Sequence, residues 1–85
     1  MESKIRLEVR FFASLVDRTG CATEKLEIPA SADVNWLWRA LVERHPELGR
    51  LAYRPAIACD LEYADLYRDL RGVEEVAFLP PVSGG

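Results

Sequence analysis

One amphipathic helical pattern limits the folds open to this 85-residue chain. Apolar residues recur at helical spacing between positions 34 and 42, which predicts a single strong helix. The members of this stripe are Val34, Leu37, Trp38, Leu41 and Val42. Asp33 is the expected N-cap, with Ser31 as the alternative, and Pro46 marks the C-terminal boundary. Since the other patterned segments resemble strands, one helix is available to cover one face of one sheet.

The strand patterns give the order of the elements around this helix. Residues 4–11 alternate strictly between apolar and charged side chains, which predicts a half-buried first strand. Four further strands are expected at residues 23–28, 56–60, 62–63 and 74–79. Residues 13–21 contain a turn signal, and residues 47–55 are expected to be a connection. This order predicts a two-layer α+β domain with a mixed β-sheet, its first and last strands side by side and parallel: the ubiquitin-like β-grasp.

Composition and charge disfavour several functional classes. Eleven Lys and Arg against fourteen Asp and Glu give a net charge of −3, which argues against a nucleic-acid partner. No apolar run approaches the ~20 residues of a membrane span, and no signal-peptide pattern follows Met1, so we expect a cytoplasmic protein. Two separate cysteines and one histidine predict no metal site. Cys59 is expected to be buried, and His45, at a helix end, to be solvated or a cap.

The last six residues, Pro80-Pro81-Val82-Ser83-Gly84-Gly85, predict a tail. Two prolines stop the sheet because proline has no N–H to donate and a fixed φ. We therefore expect residues 1–79 to form the domain and residues 80–85 to form a flexible arm that presents the α-carboxylate of Gly85. At roughly 3.3–3.6 Å per extended residue the arm would reach about 20 Å. The alternative is a frayed terminus without function.

The chemistry expected of this tail is that of a carboxylate activated by a partner. A carboxylate is a poor acyl donor because its oxygen is a poor leaving group. Adenylation by ATP on a partner enzyme would make it a good donor, and a sulfur nucleophile would then give a thiocarboxylate. Gly84 and Gly85 suit this role, since any Cβ would crowd the receiving pocket. No catalytic constellation accompanies them, so we expect the chain to bind no cofactor and to catalyse nothing alone.

An apolar patch is expected on the face of the sheet away from the helix. Alternation from the core turns Phe12 outward after the first strand and Leu79 outward on the last strand. Tyr63, on the short edge strand, could join them. Such a patch predicts a docking surface, although scattered surface apolar residues are also normal.

Three segments resemble the small, sulfur-carrier subunit of molybdopterin synthase. They are Val76-Ala77-Phe78-Leu79-Pro80-Pro81-Val82-Ser83-Gly84-Gly85, Val9-Arg10-Phe11-Phe12-Ala13 and Ala58-Cys59-Asp60. The resemblance implies a β-grasp whose Gly85 carboxylate is adenylated by an ATP-using activating enzyme and then thiocarboxylated. The tail, with Pro80, Pro81, Val82 and Ser83, would enter the large catalytic subunit and give sulfur to cyclic pyranopterin monophosphate.

The resemblance also implies an assembly and a partner-facing patch. Two carriers on a dimer of large subunits would make a heterotetramer, and the family's partner-facing hydrophobics correspond to Phe12, Tyr63 and Leu79. Asp60 stands where the family commonly has asparagine. The alternatives are a sulfur carrier for thiamine or tRNA thiolation, a ubiquitin-like protein modifier joined through Gly85 to lysines, and an interaction domain with an inert tail. The Pro-Pro-Val-Ser sequence before Gly84 favours the molybdopterin branch.

Overall fold

The computed structural model describes residues 3–81. In this part of the chain the strands are β1 (Lys4–Phe11), β2 (Thr23–Pro29), β3 (Ala56–Cys59), β4 (Glu62–Ala64) and β5 (Glu75–Leu79). The helices are α1 (Ser14–Thr19), α2 (Val34–Arg44) and a 3₁₀ helix at Pro46–Arg50. Each described helix is too short or too polar to cross a bilayer.

The strands form one mixed sheet in the order β2-β1-β5-β3-β4. β1 is antiparallel to β2 and parallel to β5, where Val9 lies opposite Val76 and Phe11 opposite Phe78. β3 is antiparallel to both of its neighbours, and β4 forms the sheet edge. The predicted mixed sheet, with its parallel central pair and one main helix, is therefore confirmed.

The core lies between the sheet and α2. Three inward side chains of β1 and three members of the α2 stripe are at most 2% exposed. These residues are Leu7, Val9, Phe11, Val34, Leu37 and Leu41. Fully burying one such side chain stabilises the fold by about 1.5–3 kcal/mol. Phe78 joins the two layers, because its ring contacts Phe11 at 6.2 Å and Trp38 at 5.4 Å between centroids.

The ends of α2 follow the sequence signals. The Asp33 carboxylate accepts a 2.8 Å hydrogen bond from the Trp36 backbone N–H, so the predicted N-cap is confirmed. The helix ends at Arg44, and Pro46 starts the 3₁₀ helix. Trp36 lies off the buried stripe and is 42% exposed.

Two connections differ from the sequence prediction. The expected turn at residues 13–21 is wrong, because Ser14–Thr19 forms α1 and Gly20 closes it in the left-handed region at φ 77°. Burial of Leu15 at the end of the core favours this helix, which is too short to show helical periodicity in the sequence. The expected connection at 47–55 likewise contains most of a 3₁₀ helix, tied down by the buried Leu48.

The strand ends also differ by one residue. β2 continues to Pro29, β4 to Ala64, and β5 starts at Glu75 rather than residue 74. β3 stops at Cys59 because Asp60 and Leu61 both have positive φ, at 48° and 71°. Two consecutive left-handed residues cannot continue a strand, so they form the tight turn into β4.

Candidate functional site

The chain leaves the sheet at the end of its central parallel pair. The Phe12 backbone N–H donates to the Phe78 carbonyl at 3.2 Å, and β5 ends one residue later at Leu79. Pro80 is half-buried and Pro81 is exposed, both outside any strand. This segment from Leu79 to Pro81 is the tail root. Val82, Ser83, Gly84 and Gly85 lie outside the described residues, so their predicted roles and the flexible tail stay predictions.

The register of the sheet places three predicted contact residues on the helix-free face. Residues paired across neighbouring strands point to the same face. Phe12 and Leu79 each follow a member of the inward Phe11–Phe78 pair, so they are neighbours on the outer face. Tyr63 pairs with Ala58, which pairs with Ala77, and this row is also on the outer face. Phe12, Tyr63 and Leu79 therefore share one face, and their role in partner binding stays a prediction.

Three alanines form the floor between these larger side chains. Ala56 lies opposite Leu79, and Ala58 lies opposite both Ala77 and Tyr63. Ala77 is on the same face and is only 6% exposed. We call the six residues Phe12, Ala56, Ala58, Tyr63, Ala77 and Leu79 the docking face. Sequence reasoning missed Ala56 and Ala58. Alternation within β3 could have found them, because Ile57 and Cys59 are buried and the two alanines therefore point to the other face.

The docking face consists of larger side chains on either side of a row of alanines. Phe12 is 40% exposed and Tyr63 is 74% exposed. Tyr63 is two strands away from Leu79, a separation of roughly 10 Å at 4.7–4.9 Å per strand. A partner segment would therefore rest on methyl groups between two larger side chains, an arrangement that suits an extended or flat apolar contact.

A charged row borders this face. The Arg10 guanidinium Nε lies 3.3 Å from Glu8 Oε1 and 3.5 Å from Glu75 Oε2. All three side chains are on the outer face, where Arg10 lies opposite Ala77 and the paired Glu8 and Glu75 form the next row. Exposed pairs of this kind stabilise a fold by only about 0–1 kcal/mol. Their position instead gives the docking face the polar rim that surrounds the apolar centre of protein interfaces.

Asp60 holds the start of β5 in register. Its carboxylate accepts hydrogen bonds from the backbone N–H groups of Glu74 at 3.1 Å and Glu75 at 3.0 Å. The Asp60 N–H in turn donates to the Glu75 carbonyl at 2.9 Å. Aspartate shares with asparagine both an acceptor oxygen and a tolerance of positive φ, so either residue suits this position.

A strained residue follows Phe12. Ala13 has φ 54° and ψ −131°, a combination that residues with a Cβ rarely adopt. This conformation turns the chain sharply from β1 into α1, which leaves Phe12 at the sheet end beside the tail root. Ser14, the first residue of α1, contacts the Tyr53 hydroxyl at 3.2 Å between oxygen atoms. Nothing in the sequence pattern indicated this strain.

His45 is the C-cap residue of α2, as one of the two expectations had it, but its imidazole is largely buried and contacts Glu24 instead of solvent. Its Nε2 lies 2.7 Å from Glu24 Oε1, and the same carboxylate also accepts from the Arg44 guanidinium. Burial by itself raises the pKa of Glu24, but the hydrogen bonds from His45 and Arg44 outweigh it and lower the pKa below its ordinary value. Alternation with Leu26 and Ile28 places Glu24 on the helix side of β2, but the sequence does not show that the end of α2 reaches it.

Comparisons with known proteins agree with this geometry. A family model described as the ThiS family matches residues 9–85. The human molybdopterin synthase sulfur carrier subunit is 31% identical over 83 residues, which cover 94% of each chain.

Two solved structures are similar over nearly the whole chain. SAMP1 from Haloferax volcanii has a TM-score of 0.79 and 30% identity, over 95% of this chain and 100% of that one. A chain in a complex of subunits 1 and 2 of the molybdopterin-converting factor from Helicobacter pylori has a TM-score of 0.62 and 30% identity, over 95% and 100%. These likenesses confirm the predicted fold class.

Proposed function

The chain belongs to the ThiS family, and we propose that it is the sulfur carrier of molybdenum cofactor biosynthesis, the small subunit of a molybdopterin synthase. The observation that carries this proposal is the position of the tail root. β5 ends at Leu79 beside Phe12, at one end of an apolar face that no helix of the described chain covers. A partner that covers this face would receive the tail directly.

The proposed chemistry takes place at Gly85. A carboxylate oxygen attacks the α-phosphorus of ATP on an activating enzyme, pyrophosphate leaves, and an acyl adenylate forms. A sulfur nucleophile then displaces AMP, which leaves a terminal thiocarboxylate. This chain supplies a tip without side chains, so the reacting carbonyl can enter a narrow site. ATP is a substrate of the activating partner, and we assign no cofactor to this chain.

The second step takes place on the large catalytic subunit. There the thiocarboxylate sulfur attacks a carbon of cyclic pyranopterin monophosphate and displaces an oxygen from it. Water then cleaves the acyl–sulfur bond, which leaves the sulfur on the pterin and restores the carboxylate. The similarity to a chain in the Helicobacter pylori complex of subunits 1 and 2 supports a two-subunit assembly. We assign the docking face to this contact, with Phe12, Leu79 and Tyr63 as its larger side chains and Pro80 and Pro81 as the stiff base of the tail. Two carriers on a dimer of large subunits complete the proposed heterotetramer.

A second function has its own support. The structure of SAMP1 from Haloferax volcanii is as similar as any solved structure described above, and the same organism's protein is also named small archaeal modifier protein 1. Attachment through Gly85 to lysines of other proteins would use the same adenylate, with an amine instead of sulfur as the nucleophile. The two functions therefore share the activation step and differ in the acceptor.

Intact-mass spectrometry tests the proposal. The untagged chain is incubated with an activating enzyme, ATP and a sulfur donor, and we expect one oxygen of Gly85 to be replaced by sulfur. Fragmentation must place this change in the C-terminal peptide. A variant lacking Gly85 and a reaction without ATP serve as controls and should stay unmodified. Lysine-linked adducts without sulfur would favour the modifier function, and an unmodified chain would contradict both.

A further inference from the structure

Three side chains with metal-binding atoms meet at one edge of the core. They are Cys21, Glu24 and His45, and their donor atoms all lie within 4.8 Å of one another. We propose that this cluster binds a divalent transition-metal ion, with Zn²⁺ as the ion that best fits a thiolate, a carboxylate and an imidazole. This site is separate from the docking face and from the tail chemistry.

The fold brings the three residues together from separate elements. Glu24 pairs with the inward Val9, so its side chain lies on the helix side of β2. His45 follows the last residue of α2 and reaches the same place. Cys21 follows Gly20, whose left-handed conformation ends α1 and turns the chain toward β2. The sequence spacing shows no metal motif, because these residues become neighbours only through the fold.

The distances are close to those of a tetrahedral site. His45 Nε2 lies 2.7 Å from Glu24 Oε1, and Cys21 Sγ lies 3.9 Å from the same oxygen. Zinc bonds of about 2.0–2.3 Å at tetrahedral angles separate ligand atoms by about 3.4–3.6 Å. Binding would therefore need the Glu24 oxygen and the His45 nitrogen to move apart by about 0.7 Å, and all three donor atoms already lie within 4.8 Å of one another. The side chains are 18% exposed for His45 and 12% for Glu24, so water can supply the fourth ligand.

Neighbouring residues hold the ligands in place. The Arg44 guanidinium binds Glu24 Oε2, which leaves Oε1 facing His45 and Cys21. The Thr19 hydroxyl oxygen lies 3.8 Å from Cys21 Sγ and also accepts from the Cys21 backbone N–H at 3.3 Å. Such outer contacts fix ligand orientation in metal sites.

Ion binding would change the charges at this place. The Glu24 carboxylate is paired with Arg44, and a bound ion would displace the proton of the Cys21 thiol, so that the thiolate supplies a second negative charge. The other cysteine is not a competing ligand, because Cys59 is fully buried and burial raises the pKa of its thiol. The hydrogen bonds of Glu24 with His45 and Arg44 do not require Cys21, so a dependence on Cys21 distinguishes a metal site from these hydrogen bonds alone.

Cobalt spectroscopy tests the site. The untagged, reduced chain is titrated with Co²⁺, and we expect thiolate-to-cobalt charge transfer, tetrahedral d–d bands and displacement by one equivalent of Zn²⁺. Cys21→Ser should abolish the charge-transfer band. Glu24→Gln and His45→Gln should weaken cobalt binding at least about tenfold. Glu27→Gln, an exposed change on the same strand, and Cys59→Ala should bind cobalt like the unmodified chain.

Two spectroscopic results would overturn this site. The first is a chain that gives no charge-transfer band with excess Co²⁺, and the second is a band that survives Cys21→Ser. The thermal midpoint gives an independent measurement, because an ion that binds the folded state raises it. Zn²⁺ should raise the midpoint of the unmodified chain and of the Gly85 deletion equally. No rise in either would contradict the site, whereas a rise in both leaves the sulfur-carrier proposal to be judged separately.

Discussion

Truncation of Phe12 gives a worked prediction for the docking face. The side chain is 40% exposed at the point where the tail leaves the sheet. An aromatic side chain offers about 150–250 Å², so a docked partner could cover roughly 60–100 Å² of this exposed fraction. At about 25 cal/mol per Å², that burial contributes about 1.5–2.5 kcal/mol to binding. Phe12→Ala should therefore weaken the affinity for the large subunit about 10- to 70-fold.

The assay is isothermal titration of the large subunit with each carrier variant. Trp36 is the matched control, because it is 42% exposed but lies on α2, away from the docking face. Trp36→Ala should change the affinity less than about threefold, in line with surface substitutions outside an interface. Thermal unfolding must show that both variants remain folded. Equal affinities for the two variants would refute the assignment of the docking face.

Three further predictions concern stability. Glu24→Gln should cost about 1–2 kcal/mol at neutral pH, measured by denaturant unfolding, because it removes charge-assisted hydrogen bonds. The pKa of Glu24 in the folded chain lies below its ordinary value of 4.5, so as the pH falls the unfolded chain binds a proton at Glu24 before the folded chain does. The stability difference between the unmodified chain and Glu24→Gln should therefore fade as the pH drops below that value. A stability difference that persists at low pH would argue against the pairing. Asp60→Ala should lower the free energy of unfolding by about 1–3 kcal/mol, because two backbone N–H groups lose their acceptor and alanine is strained at a positive φ. Asp60→Asn should cost less than half as much. Equal losses would contradict the proposed acceptor role. Deletion of Gly85 should leave the thermal midpoint unchanged within about 1 °C, and a larger fall would mean that the tail supports the fold.

The sequence predicted the layers of the fold because each depends on a local periodicity. The alternation in residues 4–11 marks the buried face of β1, and the apolar stripe at 34–42 marks the buried face of α2. The parallel pairing of β1 and β5 followed from the element order. The outward positions of Phe12 and Leu79 then followed from alternation alone.

The features that the sequence did not predict depend on contacts between distant residues. α1 is held by burial of Leu15 at the end of the core and not by periodicity. The pairing of Glu24 with His45 needs the end of α2 to lie over β2, and no local pattern records that crossing. The β3–β4 turn depends on the positive φ of Asp60, and its carboxylate reaches backbone groups 14 and 15 residues further along the chain.

The central claim is that Gly85 carries sulfur from an activating enzyme to a second subunit. Its most direct test is the amount of molybdopterin formed in a single turnover by purified large subunit, cyclic pyranopterin monophosphate and the thiocarboxylated chain. We predict product in proportion to the thiocarboxylate supplied, with none from the unmodified chain or from the variant lacking Gly85. No product from a fully thiocarboxylated, folded chain that binds the large subunit would contradict the claim.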